Sequence, residues 1–523
     1  MRDFPASTTP TIHYSNHPEI RRRMFADHKT GASALPALNP AWLKQYLPAY
    51  LWRENETPEE LLTISVLQVW WDEKRATILY QLRLRSHEGR EREHLYAGYL
   101  VAAERLAEEY KSALKRAKHQ PSAGRAAAVV PEANLILLAF PNDRKLRLFA
   151  EPELQRWLKM KWQQARRALP KRARLKKWKI KNTRYEALRY VPDKRFTMRC
   201  HVRLQRKNGA QKEVLVIAKQ LTDGKKAKKL FLSLVTLQAA WAQLGRITPA
   251  RLRALRKIKT PARFARPLGW DHDRAIVFLE NLPGRNLEQV LSEVDLAQTF
   301  RAVGEMLAVF HGAPKRVRKR VSRASELKET RDAMREIAEA FPSFRERLRV
   351  LLRALKALAW KDETPEVLLH GTFRLNHILL HEGELAMLDL DSMRMGHPAY
   401  DMANFLSALY YFEAQGRLTQ AQREEIAAAF LTGYAAKAAR QISPATLLWF
   451  FISLLLNKQA RKYVNHHHPD REDKLERMLA LAESAALLSR SLKEEVTLAT
   501  LGARLPALPL ASSTNASLEG PSL

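Results

Sequence analysis

Hydrophobic and polar residues alternate between residues 60 and 100, and this period of two predicts antiparallel strands. A polar turn around Gly89 interrupts the pattern, which then resumes. Its apolar members are Leu67, Val69, Trp71, Ile78, Tyr80, Leu82, Leu84, Leu95, Ala97 and Tyr99. From residue 101 to 118 the apolar positions follow a helical period, and residues 134–140 (NLILLAF) predict one more strand. This region therefore predicts a small β-rich unit.

The same pattern returns after residue 184 and predicts a second β unit. Residues 72–97 and residues 192–217, aligned at a constant offset of 120, are identical at eight positions. In the first copy these are Lys74, Arg75, Thr77, Arg83, Leu84, Gly89, Glu93 and Leu95. Ordinary residue frequencies give about one or two such matches by chance. We therefore expect the two units to share an architecture, although they need not share a function.

The two copies differ at a position inside an apolar strand. The sequence VLVIAKQ places Lys219 in the second copy where the first copy has Tyr99. An unpaired ammonium group is costly to bury, so a lysine in such a strand indicates an anionic partner, for example a nucleotide phosphate. The alternative interpretation is a lysine that emerges at the end of a strand.

The rest of the chain is predicted to be mostly helical. A strand at residues 275–280 ends at the sequence NLPG, a breaker that is typical of a hinge between two lobes. Helical periods follow over residues 302–311, 326–360, 402–414, 420–440, 444–464 and 471–492. The most apolar run, residues 445–456, is too short to span a bilayer and is predicted to be a buried helix. No transmembrane segment is expected.

Composition narrows the class of protein. The 523 residues include 46% hydrophobic and 28% charged residues, as in globular proteins, and this length predicts two to four structural units. Cys200 is the only cysteine and cannot pair within the chain, which excludes a disulfide framework and favours a reducing compartment. The N-terminal residues lack the apolar core of a secretory signal. We therefore expect a cytoplasmic protein.

The net charge of +34 indicates attraction to phosphate-rich partners or anionic surfaces. Residues 151–183 are strongly basic and contain Trp157, Trp162 and Trp178. They form either a phosphate-binding surface or a helical linker with a solvated basic face and tryptophans packed on neighbouring elements, and the linker is favoured. No nucleic-acid-binding motif accompanies the charge, so a nucleic-acid partner has weak support.

Residues 370–401 concentrate polar side chains between apolar runs, in the sequence HGTFRLNHILLHEGELAMLDLDSMRMGHPAYD. Upstream lie ARPLGW, ENLPG and LAVFH, in that order. These motifs resemble those of the aminoglycoside phosphotransferase and choline kinase-like family, whose members read RPLG, ELPG, LARLH, HGDxHPGNxLL and IDFDxAxxGxPAYDLA. The resemblance covers about residues 184–490. It implies an α+β, two-lobed protein-kinase-like fold, with a β-rich small lobe and a mostly helical large lobe, preceded by a second small-lobe-like β unit.

This resemblance and the hydrophobic pattern together divide the chain into six segments. They are a polar N-terminal arm over 1–50, a small-lobe-like repeat unit over 51–150, a basic linker helix over 151–183, a kinase-like small lobe over 184–285, a kinase-like helical large lobe over 286–497 and a disordered tail over 498–523. The arm is expected to be extended or to form a few short helices.

The resemblance also implies a binding site for ATP. Lys219 would bind the α- and β-phosphates, and the backbone from Glu280 to Leu282 would contact the adenine. The glycine-rich phosphate loop of kinases is absent from the sequence, and residues 190–197 (YVPDKRFT) stand in its place. Lys194 and Arg195 of this segment are expected to contact phosphate instead.

On the other side of the implied site, Asp389 would bind Mg²⁺. Asp391, two residues further along, would share its strand face and suit a metal cluster or a catalytic role. His370 and Asp401 would brace the loop through hydrogen bonds and need no chemical role.

Two positions depart from the family pattern. Thr372 occupies the position of the catalytic aspartate, and His377 occupies that of the metal-binding asparagine. A threonine hydroxyl is no base at neutral pH, and imidazole is a poor ligand for Mg²⁺. In addition, residues 214–279 contain no glutamate that could form the usual ion pair with Lys219.

Three functions follow, and the sequence leaves them open. The first is ATP-Mg²⁺-dependent phosphoryl transfer to a hydroxyl of an unidentified small molecule, slow or impaired, in which His377, Asp391 or groups of the substrate take over for the missing aspartate. The second is a pseudokinase that binds nucleotide, or a scaffold for a protein partner, without catalysis. The third and weakest is a basic nucleic-acid-associated protein. The fold does not set the acceptor, so an aminoglycoside substrate does not follow.

Overall fold

The computed structural model describes residues 11–13, 36–71, 76–168, 177–244, 263–358, 364–465, 470–492 and 495–509. The chain forms two compact units. Unit 1 comprises residues up to 235 together with residues 266–281, and unit 2 comprises residues 236–265 and those from 282 onward. Most of the predicted arm, the middle of the basic linker and the end of the predicted tail lie outside the described residues.

The first sheet of unit 1 has six strands in the order β1-β2-β3-β4-β6-β5. They are β1 (Thr11–His13), β2 (Glu60–Trp71), β3 (Ala76–Arg85), β4 (Glu91–Leu100), β5 (Ala127–Val130) and β6 (Leu135–Ala139). Helices α1 (Pro40–Tyr46), α2 (Pro48–Leu51), α3 (Leu106–Arg116) and α4 (Glu151–Ala168) accompany them. The predicted turn joins β3 to β4, and Gly89 permits it because its φ is 76°.

The second sheet of unit 1 repeats this topology with the order β11-β12-β9-β8-β7. Its elements, with β10 of unit 2 in between, are β7 (Lys179–Val191), β8 (Arg195–Gln205), β9 (Gln211–Leu221), α5 (Gly224–Leu244), β10 (Arg263–Phe264), β11 (Pro267–Asp271) and β12 (Ile276–Glu280). In each sheet three consecutive antiparallel strands are followed by a helix and then by two more strands. The third strand pairs with the second of these two, β4 with β6 in the first sheet and β9 with β12 in the second. The predicted α+β fold class is confirmed, and the predicted second β unit precedes a sheet of matching strand order.

Two predicted boundaries in unit 1 are wrong. The short helices expected within residues 1–50 are present as α1 and α2, but they bury leucines in the core of the first sheet and so belong to the first β unit rather than to a polar arm. The linker segment does not extend to residue 183, because backbone pairing with β8 makes the chain a strand from Lys179 onward. The linker helix itself is α4, and Trp157 of α4 packs against Phe149 and Phe278 as the linker interpretation expects.

The two sheets of unit 1 stack and share one core. Successive strand residues point to opposite faces of a sheet, and in the first sheet both faces are buried. The Tyr80 face packs beneath α1 and α2, and the Tyr99 face packs against the second sheet. The second sheet contributes Tyr190, Phe196, Met198, Cys200, Ala218 and Ile276 to this shared core. Its opposite face carries Val277, which packs with Ala227 of α5.

Unit 2 is mostly helical and holds two small sheets, with the strand orders β10-β16-β15-β13 and β14-β17. Its further elements are β13 (Arg285–Asn286), α6 (Leu287–Val290), α7 (Leu296–His311), α8 (Arg323–Ala340), α9 (Arg345–Ala357), β14 (Val367–Leu369), β15 (Ile378–His381), β16 (Glu384–Met387), β17 (Arg394–Gly396), α10 (Ala399–Ala414), α11 (Gln420–Lys437), α12 (Pro444–Leu454), α13 (Arg461–Asn465), α14 (Arg471–Ser491) and α15 (Leu498–Leu501). Helix α12 is buried throughout most of its length, as predicted. None of the described helices is both long and apolar enough to cross a membrane.

The predicted disordered tail begins too early. Residues 498–501 form α15, whose Leu498 and Leu501 are buried. A capping box of Thr497 and Thr500 starts this helix. Gly502 follows, and a Cβ there would lie 2.7 Å from the backbone of Ala428 in α11, so close packing holds this end of the chain.

Candidate functional site

The loop of residues 370–377 connects β14 to β15 and is held by a buried carboxylate. Asp401, in the first turn of α10, accepts hydrogen bonds from the backbone N–H groups of His370 (2.6 Å) and Gly371 (2.8 Å). His311 Nε2 donates to the same carboxylate at 3.2 Å, and the Tyr434 hydroxyl is hydrogen-bonded to its Nδ1 at 2.8 Å. Burial raises the pKa of Asp401, but the hydrogen bond and charge of His311 outweigh this and lower it. Asp401 therefore stays ionised and fixes the start of the loop.

Gly371 lets the loop pass close to the turn that follows β16. Its φ is 85°, and a Cβ at this position would lie 2.4 Å from the carbonyl oxygen of Ser392. Only glycine fits such a left-handed, crowded position without strain.

His370 is fully buried next to Thr372. Its Nε2–H donates to the carbonyl of Leu388 at 2.8 Å, and burial lowers the pKa of the imidazole, so the ring is neutral. The Thr372 hydroxyl lies 3.5 Å from His370 Nδ1. The position of the catalytic aspartate thus carries a neutral hydroxyl, which cannot accept a proton from a substrate as a carboxylate does.

His377 bonds to an arginine rather than presenting a free ligand atom. Its Nδ1–H donates to the carbonyl of Thr372 at 2.9 Å. Its Nε2 accepts from the Arg374 guanidinium, at 3.2 Å from Nε and 3.1 Å from a terminal nitrogen. Asp389 Oδ2 lies 3.6 Å from the same Nε2. Burial, together with the Arg374 charge, lowers the pKa of His377 to about 2, so the ring is neutral.

The residues at this position do not fit a Mg²⁺ site. The Nε2 atom of His377, which could otherwise bind a metal, accepts hydrogen bonds from the Arg374 guanidinium. The positive charge of this guanidinium also repels a divalent cation. Within the described ranges, no three His, Cys, Asp or Glu side chains stand close enough together to hold a metal. Asp389 and Asp391 also do not share a strand face: β16 ends at Met387, Asp389 has a left-handed backbone (φ 57°), and Asp391 lies in a 3₁₀ turn. The prediction that Asp389 and Asp391 share one strand face is therefore wrong.

The surroundings of the loop are cationic. Lys458 donates to the Tyr400 hydroxyl and to Asn404 Oδ1, each at 3.0 Å, and Asn404 Nδ2 donates to the Phe373 carbonyl at 2.7 Å. Burial lowers the pKa of nearby Lys462 to about 7, and the charges of Arg374 and Lys458 contribute to the shift. These contacts tie a positively charged part of unit 2 directly to the loop.

The predicted nucleotide residues of unit 1 have well-defined positions. Lys219 lies in the central strand β9, where it pairs with Thr197 of β8 and Val277 of β12, and it is 7% exposed. It is therefore not at a strand end. Helix α5, which follows β9, contains no acidic residue. Glu280 binds Arg266 at 3.0 Å. In unit 2, Leu282 is buried with Leu379 and Ala386.

The segment in place of the glycine-rich loop is a fixed turn between β7 and β8. Asp193, at its centre, is buried with a φ of 61° and accepts from the Tyr99 hydroxyl at 3.2 Å. Asp143 accepts from the Asp193 N–H at 3.0 Å and from the Tyr190 hydroxyl at 2.7 Å. The first β unit and the segment after it thus clamp the turn, whereas Lys194 is exposed and Arg195 is half-buried.

Sequence reasoning missed Arg374 and the bracing role of His311 and Tyr434. The family pattern has a histidine at position 374, so the change to arginine next to two other changes was a visible signal. His311 was part of the motif LAVFH, but its bond to Asp401 joins residues 90 positions apart and carries no local signal.

Comparison with known proteins bears on this site. Residues 223–442 match the family model described as the phosphotransferase enzyme family, APH. The resemblance inferred from the motifs is confirmed for this region, which contains the loop and Asp389. A search of the curated proteins finds no match.

Several solved structures are similar to this chain. One is an amicoumacin kinase in complex with AMP-PNP and Ca²⁺ (15% identity, 61% of this chain and 86% of that chain, TM-score 0.34). Another is a mutant of aminoglycoside phosphotransferase APH(4)-Ia with AMP-PNP and hygromycin B (13% identity, 60% of this chain and 96% of that chain, TM-score 0.38). A third is a choline/ethanolamine kinase family protein from Mesorhizobium loti (12% identity, 66% of this chain and 99% of that chain, TM-score 0.35). The family match supports a phosphotransferase-like function for residues 223–442.

Proposed function

We propose that this protein is a pseudokinase of the phosphotransferase family that binds a nucleotide without a divalent metal and does not transfer its phosphate. The observation that carries the proposal is the pair of N–H donations from Arg374 to His377 Nε2. That nitrogen belongs to the residue at the family's metal-ligand position. A guanidinium is a permanent cation that binds phosphate oxygens through a planar fork. Arg374 would supply the positive charge that Mg²⁺ supplies in an active kinase.

A further feature supports the absence of transfer. Thr372 offers no carboxylate to orient and deprotonate an attacking hydroxyl.

The positive charge around the loop also indicates the charge of the ligand that it binds. Lys458 flanks the loop together with Arg374. Such a field attracts anions and repels polycationic molecules such as aminoglycosides. The proposed ligand is therefore ATP or ADP itself, with no aminoglycoside acceptor.

Thermal unfolding with ATP in EDTA, compared with ATP and Mg²⁺, tests the proposal. A ligand at about one hundred times its dissociation constant stabilises a protein by about 2.7 kcal/mol, and we expect a shift of this size in EDTA. Arg374→Ala should abolish the shift, and Arg349→Ala, an exposed arginine of α9, should keep it.

Product formation from ATP and a metabolite library distinguishes the enzyme alternative. Turnover that exceeds that of an Asp389→Ala protein would contradict the pseudokinase proposal in favour of the small-molecule kinase. No thermal shift under any condition would leave a scaffold without nucleotide.

A further inference from the structure

Unit 1 contains a cavity that is separate from the kinase-like loop. Its volume is about 970 Å³, and α3, the segment after β6 and the first turns of α4 line it. All of its lining residues belong to unit 1 and to the described part of the chain. A cavity of this size is at the upper end of the range of small-molecule sites, roughly 300–1,000 Å³.

The wall of the cavity is rich in positive charge. Its cations are Lys115, Arg116, Lys118, Arg147, Arg156 and Arg274. Its two carboxylates, Glu153 and Asp143, already have ion-pair or hydrogen-bond partners. Glu153 binds Arg274 at 2.6 Å and lies 3.5 Å from His119 Nε2. Asp143 accepts four hydrogen bonds from the backbone N–H groups of Lys145, Leu146 and Asp193 and from the Tyr190 hydroxyl.

The six cations and the two carboxylates leave a net formal charge of +4 on the wall of the cavity. Arg274 is used by Glu153, and Arg116 donates to the Arg144 carbonyl. Lys115, Lys118, Arg147 and Arg156 are exposed, and among the described residues none of the four has an acidic partner. Like charges around one cavity repel each other, so their convergence favours an anionic occupant.

The floor of the cavity is apolar and fixed. Leu146 and Leu148 are buried beneath the charged rim, and Pro141 and Pro152 line the sides. Asn142 braces one edge, since it donates to the His119 carbonyl at 2.7 Å and accepts from the His119 N–H at 2.9 Å. A preformed apolar floor with a charged rim suits a compact ligand better than it suits an extended nucleic-acid strand.

We propose that this cavity is a binding site for a small molecule that carries two or more phosphate groups. Each phosphate monoester carries about −1.5 to −2 charges at neutral pH, so two of them balance the four cations. The site is independent of the kinase-like loop and of the proposed nucleotide binding there, because it shares no residue with either. It also accounts for part of the basic composition without a nucleic-acid partner.

Isothermal titration calorimetry on the full chain, with inorganic tripolyphosphate in EDTA as the probe, tests this site. The variant Lys115→Ala/Lys118→Ala/Arg147→Ala/Arg156→Ala should bind at least about tenfold more weakly, since a hydrogen bond to a charged group contributes about 1.5–3 kcal/mol and 1.4 kcal/mol is tenfold. The matched control Lys207→Ala/Lys212→Ala removes two exposed cations that do not line the cavity and should bind like the wild type. All variants keep the kinase-like loop intact, so binding there contributes equally.

Three outcomes would overturn the proposal. The fourfold variant could bind the probe as the wild type does, or the control could lose as much affinity as the fourfold variant, which would indicate a general charge effect. A single-stranded oligonucleotide could depend on the four cations while tripolyphosphate does not, which would indicate a nucleic-acid partner. Circular dichroism and the unfolding midpoint of each variant show whether the fold is kept.

Discussion

Tyr99 and Lys219 occupy the same register position in two sheets of the same topology. Tyr99 pairs with Thr77 in the first sheet, and Lys219 pairs with Thr197 in the second, at the offset of 120 that relates the sequences. Both face the helix that follows their strand, α3 for the first sheet and α5 for the second. In the first unit, however, the second sheet covers this face, and Tyr99 is fully buried. The residue that could bind a phosphate in one copy is replaced by a core residue in the other.

This difference shows how a duplicated unit can change its role. The stacking is not symmetric, because the Tyr99 face of the first sheet meets the face of the second sheet that carries Ala218, opposite to that of Lys219. Each sheet therefore uses a different face in the contact. In the first sheet, the face that corresponds to the Lys219 face packs against the second sheet, and Tyr99 on this face donates a hydrogen bond to Asp193.

The largest expected effect comes from restoring the lysine in the first copy. Tyr99→Lys would replace a core ring by a flexible ammonium side chain close to the Arg144 guanidinium, which lies 4.9 Å from the Tyr99 ring, and would remove the hydroxyl that donates to Asp193. We expect a loss of about 4 kcal/mol in the free energy of unfolding, measured by chemical denaturation. Thr63→Lys, at an exposed strand position, is the matched control and should change little. Equal stability of the two variants would show that the Tyr99 face is not covered.

A somewhat smaller loss of stability is expected when Asp143, which holds the turn at Asp193 within unit 1, is replaced. Asp143→Ala leaves the Asp193 N–H and the Tyr190 hydroxyl without their acceptor in a buried place. Unsatisfied buried donors cost about 1–3 kcal/mol each, so we expect a loss of about 3 kcal/mol in the same denaturation experiment. Asp273→Ala removes a carboxylate whose side chain is 83% exposed and should be nearly neutral. A neutral Asp143→Ala protein would contradict the clamp.

The smallest expected effect concerns pH and the first copy alone. Burial, together with the charge of Arg92, lowers the pKa of His94, whose counterpart in the second copy is Val214. Because the unfolded chain then binds the proton more readily, stability should fall as the pH falls below about 6.5, by at most about 1.4 kcal/mol per pH unit from this group. Denaturation at a series of pH values should show a flatter profile for His94→Val. An unchanged slope would mean that His94 titrates normally in the folded protein.

The β units and their relation were predictable from the sequence because alternation and a constant offset are local signals. The register of Thr197 with Lys219 follows directly from that of Thr77 with Tyr99. The stacking of the sheets was not predictable, since alternation shows that a face is buried but not what buries it. At the site, Thr372 and His377 were visible as substitutions. The left-handed backbone of Asp389 and the bond of Arg374 to His377 depend on how the loop folds.

The ratio of the ATP dissociation constants in EDTA and in Mg²⁺ tests most directly whether the kinase-like loop has exchanged its metal for an arginine. We predict a ratio close to one for the natural protein, because Arg374 holds the atom at the metal-ligand position. The variant Thr372→Asp/Arg374→His/His377→Asn, which restores the family pattern, should bind ATP at least about tenfold more tightly with Mg²⁺ than without it, equivalent to about 1.4 kcal/mol. A tenfold or larger preference for Mg²⁺ in the natural protein would contradict the account.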